Sequence, residues 1–307
     1  MFQLSNKIII SGGSGMLGQI IASHFHSSEY EIVILSRKAK SQHGHVRSVS
    51  WDGKTLESWA KELEDSLAVI NLTGRTVNCR HTDENKRQIL NSRVDSTKII
   101  GQAIAQCTNP PKVWLNASSA AIYGNTGTQI IDETSPIADD FSAGVCRQWE
   151  EALNNSDTPQ TRKIALRIGL ILGKDGGALE QLLNLARWGL GGTVANGKQY
   201  MSWMHEKDFS NLIQWLIENE QVEGAINCCA PNPLPNKEFM KALRKAIGQP
   251  IGFPAPAFAV KIGAYFMGTE AELALTGRRV VSKIMEEKGF NFEFPLLQDA
   301  FDELLKK

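Results

Sequence analysis

The sequence lacks the cysteine pattern of a protein from an oxidising compartment and the net charge of a protein that binds an anionic partner. Its five cysteines are odd in number and form no Cys-x-x-Cys pair, which favours reduced thiols in the cytoplasm over a disulfide framework. Lysine plus arginine and aspartate plus glutamate both number 33, so the formal net charge is zero. Because no positive field results, we expect neither nucleic acid nor an anionic membrane as a partner.

Long hydrophobic runs are also missing. The longest apolar stretch, residues 255–267, is too short to cross a bilayer and is interrupted by Lys261. The 307 residues are 42% hydrophobic and 21% charged, which suits one large domain or a domain with a smaller lobe.

The most informative stretch is residues 7–18, which read KIIISGGSGMLG. The β-branched run 8–10 predicts a buried parallel strand, and an amphipathic helix opens after the glycines. A strand, a glycine turn and a helix together build a pyrophosphate site, with an ordinary strand–helix turn as the alternative. We therefore predict cofactor contacts from Gly12, Gly13, Ser14, Gly15, Met16, Leu17 and Gly18.

A second predicted strand, residues 31–36, ends in Ser36, Arg37 and Lys38. Many NAD enzymes carry an acidic residue here to accept the ribose 2′-hydroxyl. The two cations found here could instead pair with a 2′-phosphate, which favours NADP(H) over NAD(H). The alternative is a basic turn that is only solvated.

Two further cofactor candidates lie downstream. A predicted strand over residues 67–72 ends in Leu72, Thr73 and Gly74, where open α/β sheets bind ligands. The predicted helix 83–107 carries Arg93, for which a phosphate contact and an exposed helical position are equally open.

The glycine spacing GxxGxxG resembles the extended short-chain dehydrogenase/reductases, and so does the segment after the predicted strand 113–117, which reads SSAAIYG. The resemblance implies that Ser119 hydrogen-bonds the reacting oxygen and that Ser118 lies near the cofactor. A serine that only caps a turn is the alternative for Ser119.

The Tyr-x-x-x-Lys pair of that superfamily is absent, because Phe141 and Val145 occupy the expected positions. Arg147 is the cation nearest the expected lysine, but arginine does not titrate usefully. Tyr123 and Cys146 are the nearest groups that could titrate, and packing roles are favoured for both.

This departure and several motifs along the whole chain make it similar to the atypical epimerase-family group that has a C-terminal domain of unassigned function. The motifs include residues 35–38, 71–74, 91–93, 141–150 and 203–205. The resemblance implies NADP(H) binding through the glycine turn, residues 36–38, Leu72–Thr73 and Arg93, with Ile168 near the nicotinamide. It supplies no substrate, and we predict a substrate pocket that includes Phe141, Cys146, Arg147, Trp203 and His205. No metal ligand is predicted.

The expected fold is a Rossmann-type doubly wound parallel sheet with a smaller, mostly helical C-terminal substrate lobe. We place the NADP(H)-binding domain at residues 1–230, with 174–205 reaching into the lobe, and the lobe at 231–307. A helix over 55–65, a sixth strand over 164–172 and an extended edge at Phe290, Phe292 and Phe294 are also predicted. His205 is expected to cap or pack at a helix start.

The sequence thus predicts an NADP(H)-binding oxidoreductase or epimerase-like protein with weak or non-standard catalysis on an unidentified small molecule. The alternative is a non-catalytic NADP(H) sensor that regulates a partner, and the resemblance includes plastid relatives linked with division. A typical nucleotide-sugar epimerase is disfavoured by the missing tyrosine and lysine. A homodimer is an open expectation.

Overall fold

The computed structural model describes residues 6–26, 29–38 and 45–306. In chain order its strands are β1 (Lys7–Ser11), β2 (Glu31–Ser36), β3 (Val46–Ser50), β4 (Ala68–Asn71), β5 (Val113–Ser119), β6 (Ile130–Ile131), β7 (Arg162–Ile168), β8 (Leu170–Leu172), β9 (Tyr200–Met201), β10 (Trp203–His205), β11 (Gly224–Cys228), β12 (Leu234–Pro235) and β13 (Arg279–Val280). Its α-helices are α1 (Met16–His24), α2 (Asp83–Ala105), α3 (Phe141–Asn154), α4 (Gly177–Arg187), α5 (Glu206–Glu218), α6 (Asn236–Ala246), α7 (Ala257–Met267), α8 (Glu272–Leu275), α9 (Lys283–Glu287) and α10 (Leu297–Leu304). Two 3₁₀ helices cover Ser58–Leu63 and Ala120–Tyr123.

Seven strands form one parallel sheet in the order β11-β7-β5-β4-β1-β2-β3. From β1 the chain first builds outward through β2 and β3, and it then returns to place β4 on the other side of β1. The strand order therefore reverses between β1 and β4, and ligands of such sheets bind at the carboxyl ends beside that point. The predicted Rossmann-type doubly wound sheet is confirmed.

The sheet is covered on both faces, which explains its uninterrupted β-branched strands. Ile8 and Ile10 pack into one core with Phe209 of α5, whereas Ile9 packs into the opposite core with Ile100 of α2 and Trp114. All three isoleucines of β1 are fully buried. Because both faces are apolar, the strand shows no polar alternation in the sequence.

The predicted sixth strand is wrong as a single element. It breaks at Gly169, so β7 stays in the main sheet and β8 pairs with β10 in a separate two-stranded sheet. A Cβ on Gly169 would lie 2.7 Å from Cys229 Sγ and 2.7 Å from Ser202 O. The absent side chain therefore lets three segments of the chain meet at the bend.

Two smaller predictions also differ from the structure. The helix expected over residues 55–65 is a short 3₁₀ helix, Ser58–Leu63. Phe290, Phe292 and Phe294 form no strand; the rings of Phe290 and Phe292 pack edge to face at 4.9 Å instead. Their alternation comes from ring packing in a loop rather than from a sheet edge.

The C-terminal part is mostly helical, and it returns to the main body through β13, which pairs with β6. Helix α7 lies on the surface with only Ala264 buried. No helix in the described part of the chain is long and apolar enough to cross a membrane. The division at residue 230 stays a prediction.

Candidate functional site

The glycine turn between β1 and α1 brings the ends of two strands together. Gly12 has φ +73°, and a Cβ there would lie 3.0 Å from the carbonyl carbon of Leu72, just after β4. The Gly12 N–H also donates to Leu35 O at 3.1 Å. Glycine is required here because both its backbone angle and its contact with Leu72 exclude a side chain.

The N-terminus of α1 is open to an anion. Gly15 occupies the N-cap with no side-chain cap, and the first turn carries no acidic residue. A Cβ on Gly18 would fall 2.3 Å from Gly13 Cα, whereas the nearest atom to a Cβ on Gly15 is Gly12 O at 3.4 Å. Gly18 therefore lets helix α1 pack against the glycine turn, and Gly15 leaves free space beyond the N-terminus of α1.

The loop after β4 contributes an unsatisfied hydroxyl. Thr73 Oγ1 is buried and has no hydrogen-bond partner among the described residues, although the Thr73 N–H donates to Asn71 Oδ1 at 3.1 Å. Buried polar atoms in native proteins are nearly always paired. The unpaired hydroxyl of Thr73 lies beside the glycine turn, where a side chain on Gly12 would fill the open space. This arrangement fits a bound dinucleotide.

The basic segment lies beside this turn. Ser36 Oγ donates to Lys38 O at 2.7 Å and so closes the turn after β2, while Arg37 and Lys38 are exposed. Since Leu35 is paired with Ser11 in the sheet, both cations follow the strand next to the glycine turn. They lie on the side where a ribose 2′-phosphate is expected.

Arg93 is not an exposed helical arginine, so that alternative is wrong. Its Nη1 donates to Arg75 O at 3.0 Å and to Ile89 O at 2.9 Å, and its guanidinium lies 5.0 Å over the ring of Trp149. A Cβ on Gly74 would lie 3.1 Å from Arg93 Cζ. Burial lowers the pKa of Arg93, so a partly desolvated cation stands at the end of β4.

A cavity of about 240 Å³ opens at the ends of β5 and β7. Its walls come from Ser119–Ala120, residues 168–170, residues 200–202 and the C-terminal residues 273 and 276–278. Ser119 Oγ accepts a hydrogen bond from Ala121 N–H at 3.1 Å and donates to Ile168 O at 3.4 Å. Ser119 therefore both caps a turn and borders the cavity.

Tyr123 lies outside this cavity, in a buried polar network. Its hydroxyl donates to Asn227 Oδ1 at 2.8 Å and accepts from Arg167 Nη1 at 2.7 Å. Burial raises the pKa of Tyr123 to about 12. The Tyr123 hydroxyl is thus already satisfied on both sides, and the choice between the favoured packing role and a catalytic role for Tyr123 stays a prediction.

Ser118 belongs to the same buried network. Glu150 of α3 forms a bidentate ion pair with Arg167 of β7, at 3.0 and 2.9 Å, and accepts from Ser118 Oγ at 2.6 Å. The two partners of Glu150 lie on neighbouring strands, because Ser118 of β5 is paired with Arg167 of β7 in the sheet. The Ser118 hydroxyl therefore uses its one proton within this network, and a cofactor contact of Ser118 stays a prediction.

Three predicted pocket residues lie on α3 but point in different directions. Phe141 packs edge to face on His81 at 5.1 Å, and Cys146 is buried in a small core with Val280, where burial raises its thiol pKa to about 11. Arg147 is exposed and lies 3.5 Å from Asp139. None of the three is in the wall of this cavity, so their assignment to a substrate pocket stays a prediction.

Trp203 and His205 are fully buried and do not border the cavity either. His205 caps α5 by accepting from Lys207 N–H at 3.0 Å, as predicted, and its Nε2 lies 3.0 Å from Glu303 Oε2. Its ring stacks on Phe294 at 4.0 Å, and burial lowers its pKa to about 4. His205 is therefore a neutral structural residue near pH 7.

The cavity contains a residue that sequence reasoning missed, Arg278. It precedes β13 and is the one charged residue among the described residues that line the cavity. The adjacent pair Arg278–Arg279 was visible in the sequence, but no local pattern says that this segment returns to Ser119.

These features define a Rossmann-type protein with a nucleotide-binding turn and a small cavity at the same edge of the sheet. Residues 8–229 match the NAD dependent epimerase/dehydratase family, and the chain belongs to that family. Residues 255–304 match a domain of unknown function, DUF1731. The resemblance to the epimerase group with such a C-terminal domain is confirmed.

Similar proteins cover nearly the whole chain. Epimerase family protein SDR39U1 of Bos taurus is 30% identical over 304 residues, covering 97% of this chain and 99% of the relative. The solved structure of human epimerase family protein SDR39U1 (isoform 2) with NADPH superposes with a TM-score of 0.85 at 28% identity, covering 97% of this chain and 98% of that one. A nucleoside-diphosphate sugar epimerase from Corynebacterium glutamicum gives a TM-score of 0.78 at 26% identity, covering 97% of this chain and 58% of that one.

Proposed function

We propose that this chain is an NADP(H)-dependent oxidoreductase or epimerase-like enzyme that acts slowly on a small molecule. The carrying observation is that the glycine turn and Ser119 lie at the same carboxyl edge, two strands apart across β4. The human relative solved with NADPH supports the choice of cofactor. A bound nicotinamide would supply or accept a hydride at the cavity.

The residues of the chain would then bind the cofactor, orient the substrate and polarise its reacting oxygen. Met16 and its neighbours at the start of α1 would hold the pyrophosphate, and Arg37 with Lys38 would hold the 2′-phosphate. The Ser119 hydroxyl would donate to the reacting oxygen once it exchanges its long contact to Ile168 O at 3.4 Å. No tyrosine–lysine pair is present on α3 to move the proton, so the proposed reaction is slow.

NADPH consumption with a panel of aldehydes, ketones and nucleotide sugars tests this function. We expect slow turnover, and Ser119→Ala should lower it further, whereas Ser119→Thr should retain a hydroxyl and part of the rate. Ser142→Ala, at a serine on α3 outside the cavity wall, is the control. Fast turnover that does not respond to Ser119 would contradict both the slow chemistry and the role of this serine.

A second candidate is a non-catalytic NADP(H) sensor. Its specific support comes from Tyr123 and Cys146, the titratable groups nearest to the missing Tyr-x-x-x-Lys pair. Both are buried, with pKa values raised to about 12 and about 11, so neither readily exchanges a proton near pH 7. Tight NADPH binding with no consumption of NADPH across the whole panel would favour this candidate.

A further inference from the structure

The cavity beside Ser119 carries a single fixed charge. Apart from Arg278, its lining consists of apolar side chains, glycines and hydroxyl-bearing residues. A few well-placed polar groups in a mostly neutral pocket decide which ligand is accepted. Among the described residues, Arg278 is therefore the charged member of this wall, and a positive charge there favours an anionic ligand over a neutral one.

Arg278 is held in place by three contacts from two other parts of the chain. Its N–H donates to Tyr200 O at 3.1 Å, its carbonyl accepts from Ser202 Oγ at 2.8 Å, and its Nε donates to Gly124 O at 2.8 Å. Tyr200 and Ser202 also border the cavity. A guanidinium fixed at its Nε needs little further ordering to bind a ligand through its two Nη groups.

The charge of Arg278 has no partner within residues 6–26, 29–38 and 45–306. No carboxylate in these ranges forms an ion pair with it, and its guanidinium hydrogen bond there is the one from Nε to Gly124 O. Burial lowers the pKa of Arg278, and the negative charges of Asp140 and Glu272 act on it only from a distance. A partly desolvated cation without a counter-ion favours binding of an anion from solution.

We propose that Arg278 binds the carboxylate of a small organic acid whose carbonyl or hydroxyl oxygen meets Ser119. This inference rests on the proposed oxidoreductase or epimerase-like function and names its substrate class. The two Nη groups match the two oxygens of a carboxylate. The volume of about 240 Å³ lies below the range of roughly 300–1,000 Å³ that holds larger ligands, so the cavity suits a small acid better than a nucleotide sugar.

Matched pairs of acid and amide test the proposal on the NADPH-loaded full chain. We would measure binding of pyruvate against pyruvamide, and of phenylglyoxylate against phenylglyoxylamide, by ligand-detected NMR titration. A charge-assisted hydrogen bond predicts that each acid binds about tenfold or more tightly than its amide. Arg278→Gln should abolish this preference while NADPH affinity stays unchanged.

Arg279→Gln is the matched control, because the Arg279 guanidinium lies 5.0 Å over the Tyr200 ring and Arg279 is outside the cavity lining. It should keep the full preference. If Arg278→Gln fails to fold, Arg278→Lys decides instead: it keeps the charge but loses the fork, so the preference should shrink without vanishing.

Several results would overturn the proposal. In the native protein, these are equal binding of acids and amides, no binding of either acid, or tighter binding of dihydroxyacetone phosphate than of both acids. In the variants, they are a preference for acid over amide that survives Arg278→Gln or is unaltered in Arg278→Lys. NADPH affinity is measured first by fluorescence. Loss of NADPH binding in the native protein would contradict the proposed function itself, and retained binding without acid preference would contradict only the role of Arg278.

Discussion

The two ends of the site differ in how the chain builds them. The nucleotide end comes from short turns directly after β1, β2 and β4, each next to its own strand. The cavity end combines the end of β5, the bend at Gly169, residues 200–202 and residues 273–278. The first is held mainly by glycine packing, whereas the second depends on buried polar contacts between distant segments. Substitutions at the open, solvent-facing positions of the nucleotide end should therefore harm binding, whereas substitutions in the buried polar contacts behind the cavity should harm stability.

The largest effect is expected at the buried ion pair behind the cavity. Glu150→Ala leaves Arg167 without its counter-ion and Ser118 without its acceptor. Removing one partner of a buried pair costs about 3–5 kcal/mol in the free energy of unfolding. Urea denaturation measures this loss.

Arg147→Gln on the same helix is the control, because its ion pair with Asp139 is exposed and contributes about 0–1 kcal/mol. If Glu150→Ala and Arg147→Gln unfold at the same urea concentration, the cavity end does not depend on the buried pair.

The next effect is acid sensitivity at His205. Its folded pKa of about 4 lies below the ordinary value near 6.5, so the unfolded chain binds the proton first. The stability from a neutral His205 is present above pH 6.5 and is lost as the pH falls to 4, by about 3 kcal/mol.

His205→Asn should keep a capping oxygen for Lys207 N–H and flatten the pH dependence of stability in this window. Urea denaturation at pH 7 and pH 4.5 gives the comparison, with His26→Asn at an exposed histidine as control. An equal loss of stability on acidification in the native protein and in His205→Asn would show that another group is responsible.

A smaller effect is expected at the basic turn of the nucleotide end. Arg37→Glu places a carboxylate where a 2′-phosphate is expected, so NADPH should bind at least tenfold more weakly while NADH changes little. Calorimetric titration of both cofactors measures this preference. Lys61→Glu, an exposed charge reversal on the 3₁₀ helix, should leave it unchanged. Equal affinities of the native protein for NADPH and NADH would reject the assignment of Arg37 and Lys38.

The smallest effect is expected at Gly15. A methyl group there meets no atom closer than 3.4 Å, so Gly15→Ala should fold normally and weaken NADPH binding by a little more than 1 kcal/mol, roughly tenfold. Gly18→Ala is the contrasting variant, because its Cβ would fall 2.3 Å from Gly13 Cα and should disrupt folding. Unchanged NADPH affinity in Gly15→Ala would mean that the phosphates lie elsewhere.

The same contrast explains what the sequence could predict. The bounds of β2 agree with the predicted strand because it is a local hydrophobic run with clear ends. The cavity could not be predicted, because Arg278 is placed in the same wall as Ser119 by long-range contacts, such as the pairing of β13 with β6 and the hydrogen bond from Arg278 to Gly124 O. Trp203 and His205 are predicted for the substrate pocket, whereas the adjacent residues 200–202 border this cavity, and no local pattern in the sequence decides between such neighbours.

The return of the chain at residues 276–280 has a consequence for biosynthesis. Thr126 N–H donates to Gly277 O at 3.1 Å, and Val280 N–H donates to Ser202 Oγ at 2.8 Å, so the last wall of the cavity is added after every strand of the main sheet has been made. A ribosome releases the glycine turn and the basic turn first and Arg278 near the end. The glycine turn and the basic turn can therefore be complete on a nascent chain that does not yet have this wall of the cavity.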